Sequence, residues 1–218
     1  MPSPVATELV GLLERLAGPL EGNTEQEVAQ TERRLGGRLP TALREIYLRA
    51  GRMVRLWDAR GRGCWHLRGL GGLRVDGMLL VFATEQQGSW EWGVEVGDGA
   101  DPVVLEGVAH EWKATAESLT TFLRGVVLLH TSSCTLDWEG GAEVSRDLAE
   151  RALQGWEHVP FRPQCGNFDF YMRDAVVVRC DWSAASAVIF AGGANEAQVR
   201  ELAGRLGLLL PAPWPNDA

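Results

Sequence analysis

Apolar residues at Leu9, Val10, Leu12, Leu13 and Leu16 recur at the three-to-four spacing of one helical face. They predict a helix over residues 7–20 that stops near Gly18-Pro19. The run Thr24-Glu25-Gln26-Glu27 has the spacing in which a threonine hydroxyl caps a backbone N–H and a glutamate three residues on reaches back. A second helix is therefore expected from Thr24 through Val28 to Leu35, ending at Gly36-Gly37. Leu39-Pro40-Thr41 opens a third, with Leu43, Ile46, Tyr47 and Ala50 on one face. Gly51 is expected to supply its left-handed stop.

The period then drops from that of a helix to that of a strand. Short strands are expected at 53–57, 64–67 and 79–83, separated by glycine-rich turns. The clearest is 89–96, where Trp90, Trp92, Val94 and Val96 fall on one face and Glu91, Gly93 and Glu95 on the other, the carboxylates solvated. A turn at 98–102 leads to strands at 103–105 and 110–112, and Ser118 caps a helix bearing Leu119, Phe122, Leu123 and Val126. Beyond it come a strand near 134–138, a helix over 145–156, a loop at 160–166 and strands at 168–172, 175–180 and 187–190. A second capping box, Asn195-Glu196-Ala197-Gln198, opens a helix with Val199, Leu202, Ala203 and Leu206 inward, before a proline-rich tail at 211–218. The order reads as an α+β chain, with one region over 1–130 and an α+β extension over 131–218.

Composition narrows the function classes. The 218 residues are 45% hydrophobic, enough for one substantial core or two small ones, and 23% charged, as in ordinary folded domains. No apolar run approaches the ~18–20 residues that span a bilayer. Met1-Pro2-Ser3-Pro4 has no basic residue ahead of an apolar run, so no secretory signal is expected and the cytoplasm is the expected address. Cys64, Cys134, Cys165 and Cys180 stand far apart with no C-x-x-C, and read as reduced, packed thiols. His66 lies near Cys64, but a zinc site needs four convergent ligands. No metal or cofactor is expected.

Catalytic motifs are missing as well. None of His66, His110, His130 and His158 sits in a nucleophile setting, and His110-Glu111 lacks the second histidine of a zinc protease. The glycines at 61–63 and 69–72 are followed by strand-like sequence, so they read as hairpin turns and not as a phosphate cradle. The expectation is a non-enzymatic chain.

Charge adds a direction. The formal net charge is -8, but residues 44–74 hold eight arginines against two acids, whereas 77–117 hold eight acids against Lys113 alone. The acidic stretch repels nucleic acid and suits a basic partner. Alternatively the two blocks face each other across a sheet and neutralise. Arg52, Arg55, Arg60, Arg62, Arg68 and Arg74, interleaved with Trp57 and Trp65, could contact phosphates, but a pI near 5.1 argues against nucleic acid.

Glu32, Leu35, Gly36, Leu39 and Pro40 form E-x-x-L-G-x-x-L-P. After them come Val81-Phe82, a tryptophan-bearing strand, Trp112, and a helix opening Ser118-Leu119 with Phe122-Leu123. Over roughly residues 20–130 this order resembles the SUKH superfamily, which includes the Smi/Knr-like cell-wall regulators of fungi and many bacterial immunity proteins. The third helix ends in Ala50-Gly51, where the family often has Asn-Gly. The resemblance implies a mostly antiparallel twisted sheet with helices packed around it. It also implies a protein-binding role, the neutralisation of a polymorphic or contact-delivered toxin. The alternative is an intracellular regulatory or scaffold protein of the Smi/Knr-like type. The five signature residues would hold the fold. The partner would be a basic toxin domain, with no membrane and no nucleic acid. Candidate contacts are Glu85, Trp90, Glu91, Glu95, Asp98, Asp101 and Trp112, with core packing the competing role for Trp90 and Trp92.

Overall fold

The computed structural model describes residues 4–53, 65–97, 99–109, 111–133, 138–162, 168–193 and 196–206. The fold is α+β, and the chain divides into two compact units. The first comprises Met1–Glu14 and Pro19–Val126, the second Arg15–Gly18 and Val127–Ala218.

Three helices open the chain: α1 (Pro4–Ala17), α2 (Glu25–Leu35) and α3 (Thr41–Ala50). The capping box at the start of α2 forms as its spacing predicts. Thr24 Oγ1 accepts from the Glu27 N–H at 3.2 Å, and Glu27 Oε2 accepts from the Thr24 N–H at 2.7 Å. Gly36, at φ 77°, closes α2 in the left-handed conformation that glycine adopts without strain. Gly51 does not do the same for α3. Its φ is -64°, and glycine is needed there for space: a Cβ would stand 1.9 Å from Asn23 Oδ1 and 2.5 Å from the Tyr47 carbonyl.

The first sheet is antiparallel and six-stranded. Its strands are β1 (Trp65–Leu67), β2 (Arg74–Asp76), β3 (Leu79–Glu85), β4 (Trp90–Glu95), β5 (Val103–Val108) and β6 (Glu111–Ser118). The order is β1-β3-β4-β5-β6, with β2 also pairing β3, alongside β1's stretch of it. Strands β5 and β6 both outrun their expected lengths, because the ladder between them continues past the apolar residues that mark it in sequence. The helix α4 (Leu119–Ser133) follows directly, and Ser118 Oγ accepts from the Thr121 N–H at 3.4 Å as its cap. Phe122 of α4 meets Phe82 edge-on at 5.7 Å and stacks on Trp65 at 5.8 Å, and Trp65 lies 4.4 Å from Trp92. These four rings are the centre of the core on the sheet's inner face.

In the second unit a five-stranded antiparallel sheet is built from β7 (Trp138–Ser145), β8 (Glu157–Phe161), β9 (Phe168–Arg173), β10 (Val176–Trp182) and β11 (Ser186–Gly193), in the order β7-β11-β10-β9-β8. Helices α5 (Arg146–Ala152) and α6 (Glu196–Leu206) cover one face. Ala149, Leu153, Val199, Leu202 and Leu206 pack there with Val176, Val178, Cys180, Ala187, Ile189 and Ala191. The strand expected near 134–138 falls, except for Trp138, outside the described residues; β7 runs from Trp138 to Ser145 and pairs with β11 through Gly140-Gly141. Two expectations are corrected. The helix over 145–156 is only α5. Pro160 and Phe161, expected in a loop, end β8, and Pro160 is tolerated because β8 is an edge strand whose outer side needs no N–H.

Expectations at 54–57, Cys64, Cys134, Cys165 and Asn195 lie outside the described residues. Cys180 is an unbridged thiol, 1% exposed, and burial pushes its pKa up to about 12, so at neutral pH it is an inert packing group. Among the described residues no helix is long and apolar enough to cross a membrane.

Candidate partner-binding face

Residues paired across neighbouring strands share a face, so the ladder registers define what each face presents. One row runs His66, Thr84, Glu91, Gly107, Trp112, and the next Arg74, Val81, Gly93, Leu105, Ala114. Both lie on the outer face, opposite the Trp65–Trp92–Phe122 core.

Here Trp112 lies across two glycines. A Cβ on Gly107 would fall 2.8–2.9 Å from three of its ring atoms, and one on Gly93 would fall 3.4 Å from Cζ3. The missing side chains form the shelf on which the half-buried indole rests. Beside it Glu91 is held by two arginines, Arg68 at 2.8 Å and Arg74 at 2.5 Å. Arg74 also reaches Asp76 at 3.2 Å, and its pKa is raised, chiefly by its hydrogen bond to Glu91. The Arg68 carbonyl in turn accepts from the buried Tyr47 hydroxyl of α3. The expected solvation of Glu91 is thus corrected: its carboxylate is clamped by the basic segment, and at this point the two charge blocks neutralise each other across the sheet.

Other acids of the 77–117 stretch also have structural partners. Glu106 is 2% exposed and accepts from Trp92 Nε1 at 2.7 Å, inside the core. Asp101 Oδ1 accepts from the Thr120 N–H at 2.7 Å and the Thr120 hydroxyl at 2.9 Å, capping the first turn of α4. Glu85 accepts from the Gln87 N–H at 3.1 Å in the β3–β4 turn.

The candidate contacts therefore do not form one patch. Trp90, Glu91 and Trp112 lie toward one end of the sheet, near Glu85, with Glu91 and Trp112 on the outer face and Trp90, paired with Val108, on the opposite face. Glu95 stands at the far end of β4, about 16 Å away at the rise of a strand. Asp98 lies outside the described residues. Trp92 is fully buried, and Trp90 is half-buried at the start of β4. Two residues missed in sequence belong to the Trp90 end: Val108, 38% exposed and paired with Trp90, and Glu111, exposed and paired with Val108. Their alternation with Gly107 and Trp112 was the available signal, but Ala109-His110 between the two strands obscured the pairing.

The signature residues hold a turn. Glu32 Oε1 accepts from the Leu39 N–H at 3.1 Å and lies 3.4 Å from Arg44 Nε. Gly36 reverses the chain, Leu39 is buried, and Pro40 sits at the start of α3. Leu35, Leu39 and Pro40 border a cavity of about 10 Å³ with Val75, Leu80 and Val96, roughly one water's worth of space. Among the described residues no group of three or more His, Cys, Asp or Glu could hold a metal ion. Comparison with protein-family models, curated proteins and solved structures finds no match for this chain.

Proposed function

We propose that this chain is a non-enzymatic binding protein that engages a basic protein partner through the end of the first sheet that carries Trp112 on its outer face and Trp90 and Val108 on the opposite one. Toxin neutralisation of the immunity-protein kind is the role that its resemblance to the SUKH superfamily suggests. The observation that carries the reading is the placement of Trp112. A part-exposed indole held flat over Gly93 and Gly107, beside a clamped ion-pair network, is a pre-ordered aromatic anchor of the kind that dominates interface energetics. Glu85 and Glu111 at the same end of the sheet would speed the approach of a basic partner and deter wrong ones.

Affinity capture with the full chain at low and moderate salt, read by mass spectrometry, tests this. The expected result is one basic protein whose retention falls with salt and falls at least tenfold for Glu85→Lys/Glu111→Lys. The captured protein, expressed as a toxin, should then be neutralised by the wild type and not by the variant. Charge reversal at Glu91 is unsuitable, because it would strand Arg68 and Arg74 and disturb the fold. Retention indifferent to the double reversal, or a mixture of housekeeping proteins, would overturn the proposal.

A further inference from the structure

The outer backbone groups of an edge strand are a template for another strand, and most edges here are blunted in ways proteins commonly use. In the first sheet β1 and β2 are three residues each, and the β5–β6 register shifts between Val103 and Leu105. In the second sheet β8 carries Pro160. The remaining edge, β7, has none of these devices. All eight of its residues pair with β11 without a register shift, and its sequence Trp-Glu-Gly-Gly-Ala-Glu-Val-Ser has no proline, lysine or arginine. Among the described residues no backbone group bonds to its other side. Gly141, Glu143 and Ser145 are exposed along it.

We infer that the outer edge of β7 is a docking edge for an extended, basic segment of a partner protein, which joins the second sheet as a further strand. Main-chain hydrogen bonds supply the affinity in this mode, and alternate side chains the selectivity. The charge on β7 selects the occupant. Glu143 is exposed on it, where it accepts from the Ser186 hydroxyl at 2.6 Å, and the strand's sequence carries no basic residue. Pairing β7 with a second copy would bring the Glu143 carboxylates of both copies to one seam, in a chain that already carries a net charge of -8. A strand with lysine or arginine at alternate positions meets the Glu143 carboxylate with opposite charge. The inference stands in the second unit and does not depend on the Trp112 face.

The test uses the ¹⁵N-labelled full chain and the peptide acetyl-Thr-Lys-Val-Lys-Val-Lys-Thr-amide, with a counterpart in which each lysine is glutamate. The expected result is amide shifts concentrated on residues 138–145 and exchange of the outward β7 amides slowed at least tenfold at saturation. Affinity should fall at least tenfold for the glutamate peptide and for Glu143→Lys. No shift at millimolar peptide, or equal affinity for both peptides, overturns the inference. So does β7 protection that rises with protein concentration alone, which would make a second copy the occupant. Shifts centred instead on Trp90, Val108 and Trp112 would sink it while supporting the first-unit face. Failure of the Glu85→Lys/Glu111→Lys capture would leave the β7 result standing.

Discussion

Replacing Gly107 with alanine places a methyl group where the Trp112 indole now lies. The new carbon would stand 2.8 Å from Cε3 and 2.9 Å from both Cδ2 and Cε2, against an optimum of ~3.5–4.0 Å between carbons. Cδ2 and Cε2 form the fused bond of the indole, so the ring cannot tilt its tip aside and must lift bodily. Overpacking of that kind costs about 1–3 kcal/mol. An opposing term comes from the backbone. Gly107 is not at positive φ, and alanine in a strand interior is favoured over glycine by about 0.5–1 kcal/mol. With Trp112 present the net expectation is a loss of about 0.5–2 kcal/mol. In a Trp112→Ala background these three contacts are gone, and the same substitution should stabilise by about 0.5–1 kcal/mol. The sign should therefore reverse, with a coupling of about 1–3 kcal/mol between the two sites. Urea unfolding of the four proteins of the cycle, followed by far-UV circular dichroism and compared at a common m value, measures it. A neutral or stabilising Gly107→Ala in the presence of Trp112, or an equal cost in both backgrounds, would refute the shelf and weaken the case for Trp112 as a pre-ordered anchor.

Asp101→Ala should destabilise the protein by about 1–2 kcal/mol through loss of the α4 cap, whereas Asp101→Asn, which keeps an acceptor, should retain most of the stability. Thermal melts of both decide it, and melting temperatures equal to wild type for both would show that the cap contributes nothing. Glu27 is held at about pKa 2, below the ordinary 4.5, first by the Thr24 N–H and then by Arg52. Because the folded value lies below the unfolded one, its contribution is complete above pH ~5 and disappears as pH falls from about 4.5 toward 2. The stability gap between wild type and Glu27→Gln should be constant above pH 5 and close through that window. A gap still at full width at pH 2.5 would contradict the assignment.

The residues that were read correctly in sequence act over a few positions. Thr24 and Glu27 bond each other three residues apart, Gly36 ends the helix it follows, and Trp90, Glu91 and Trp92 alternate because a strand has period two. Residues whose meaning depends on a distant partner were misread. Gly51 looked like a left-handed cap, but Asn23 crowds it. Glu91 looked solvated, but Arg68 and Arg74 reach it from 23 and 17 residues away. Asp101 is exposed, as its charge suggests, but its bond to Thr120, 19 residues on at the start of α4, has no local signal.

By itself the sequence determined the helix starts, the α+β class, the apolar faces and the total charge, because each follows from local hydrogen bonding, periodicity or simple count. Only the tertiary structure decided which acids remain exposed, which glycines make room for Trp112, that residues 157–161 form an edge strand, and that no strand among the described residues pairs with the outer side of β7. Those outcomes depend on register and on which segments pair. A hydrogen bond or a charge is satisfied by whatever the fold brings within about 3 Å, at any separation along the chain.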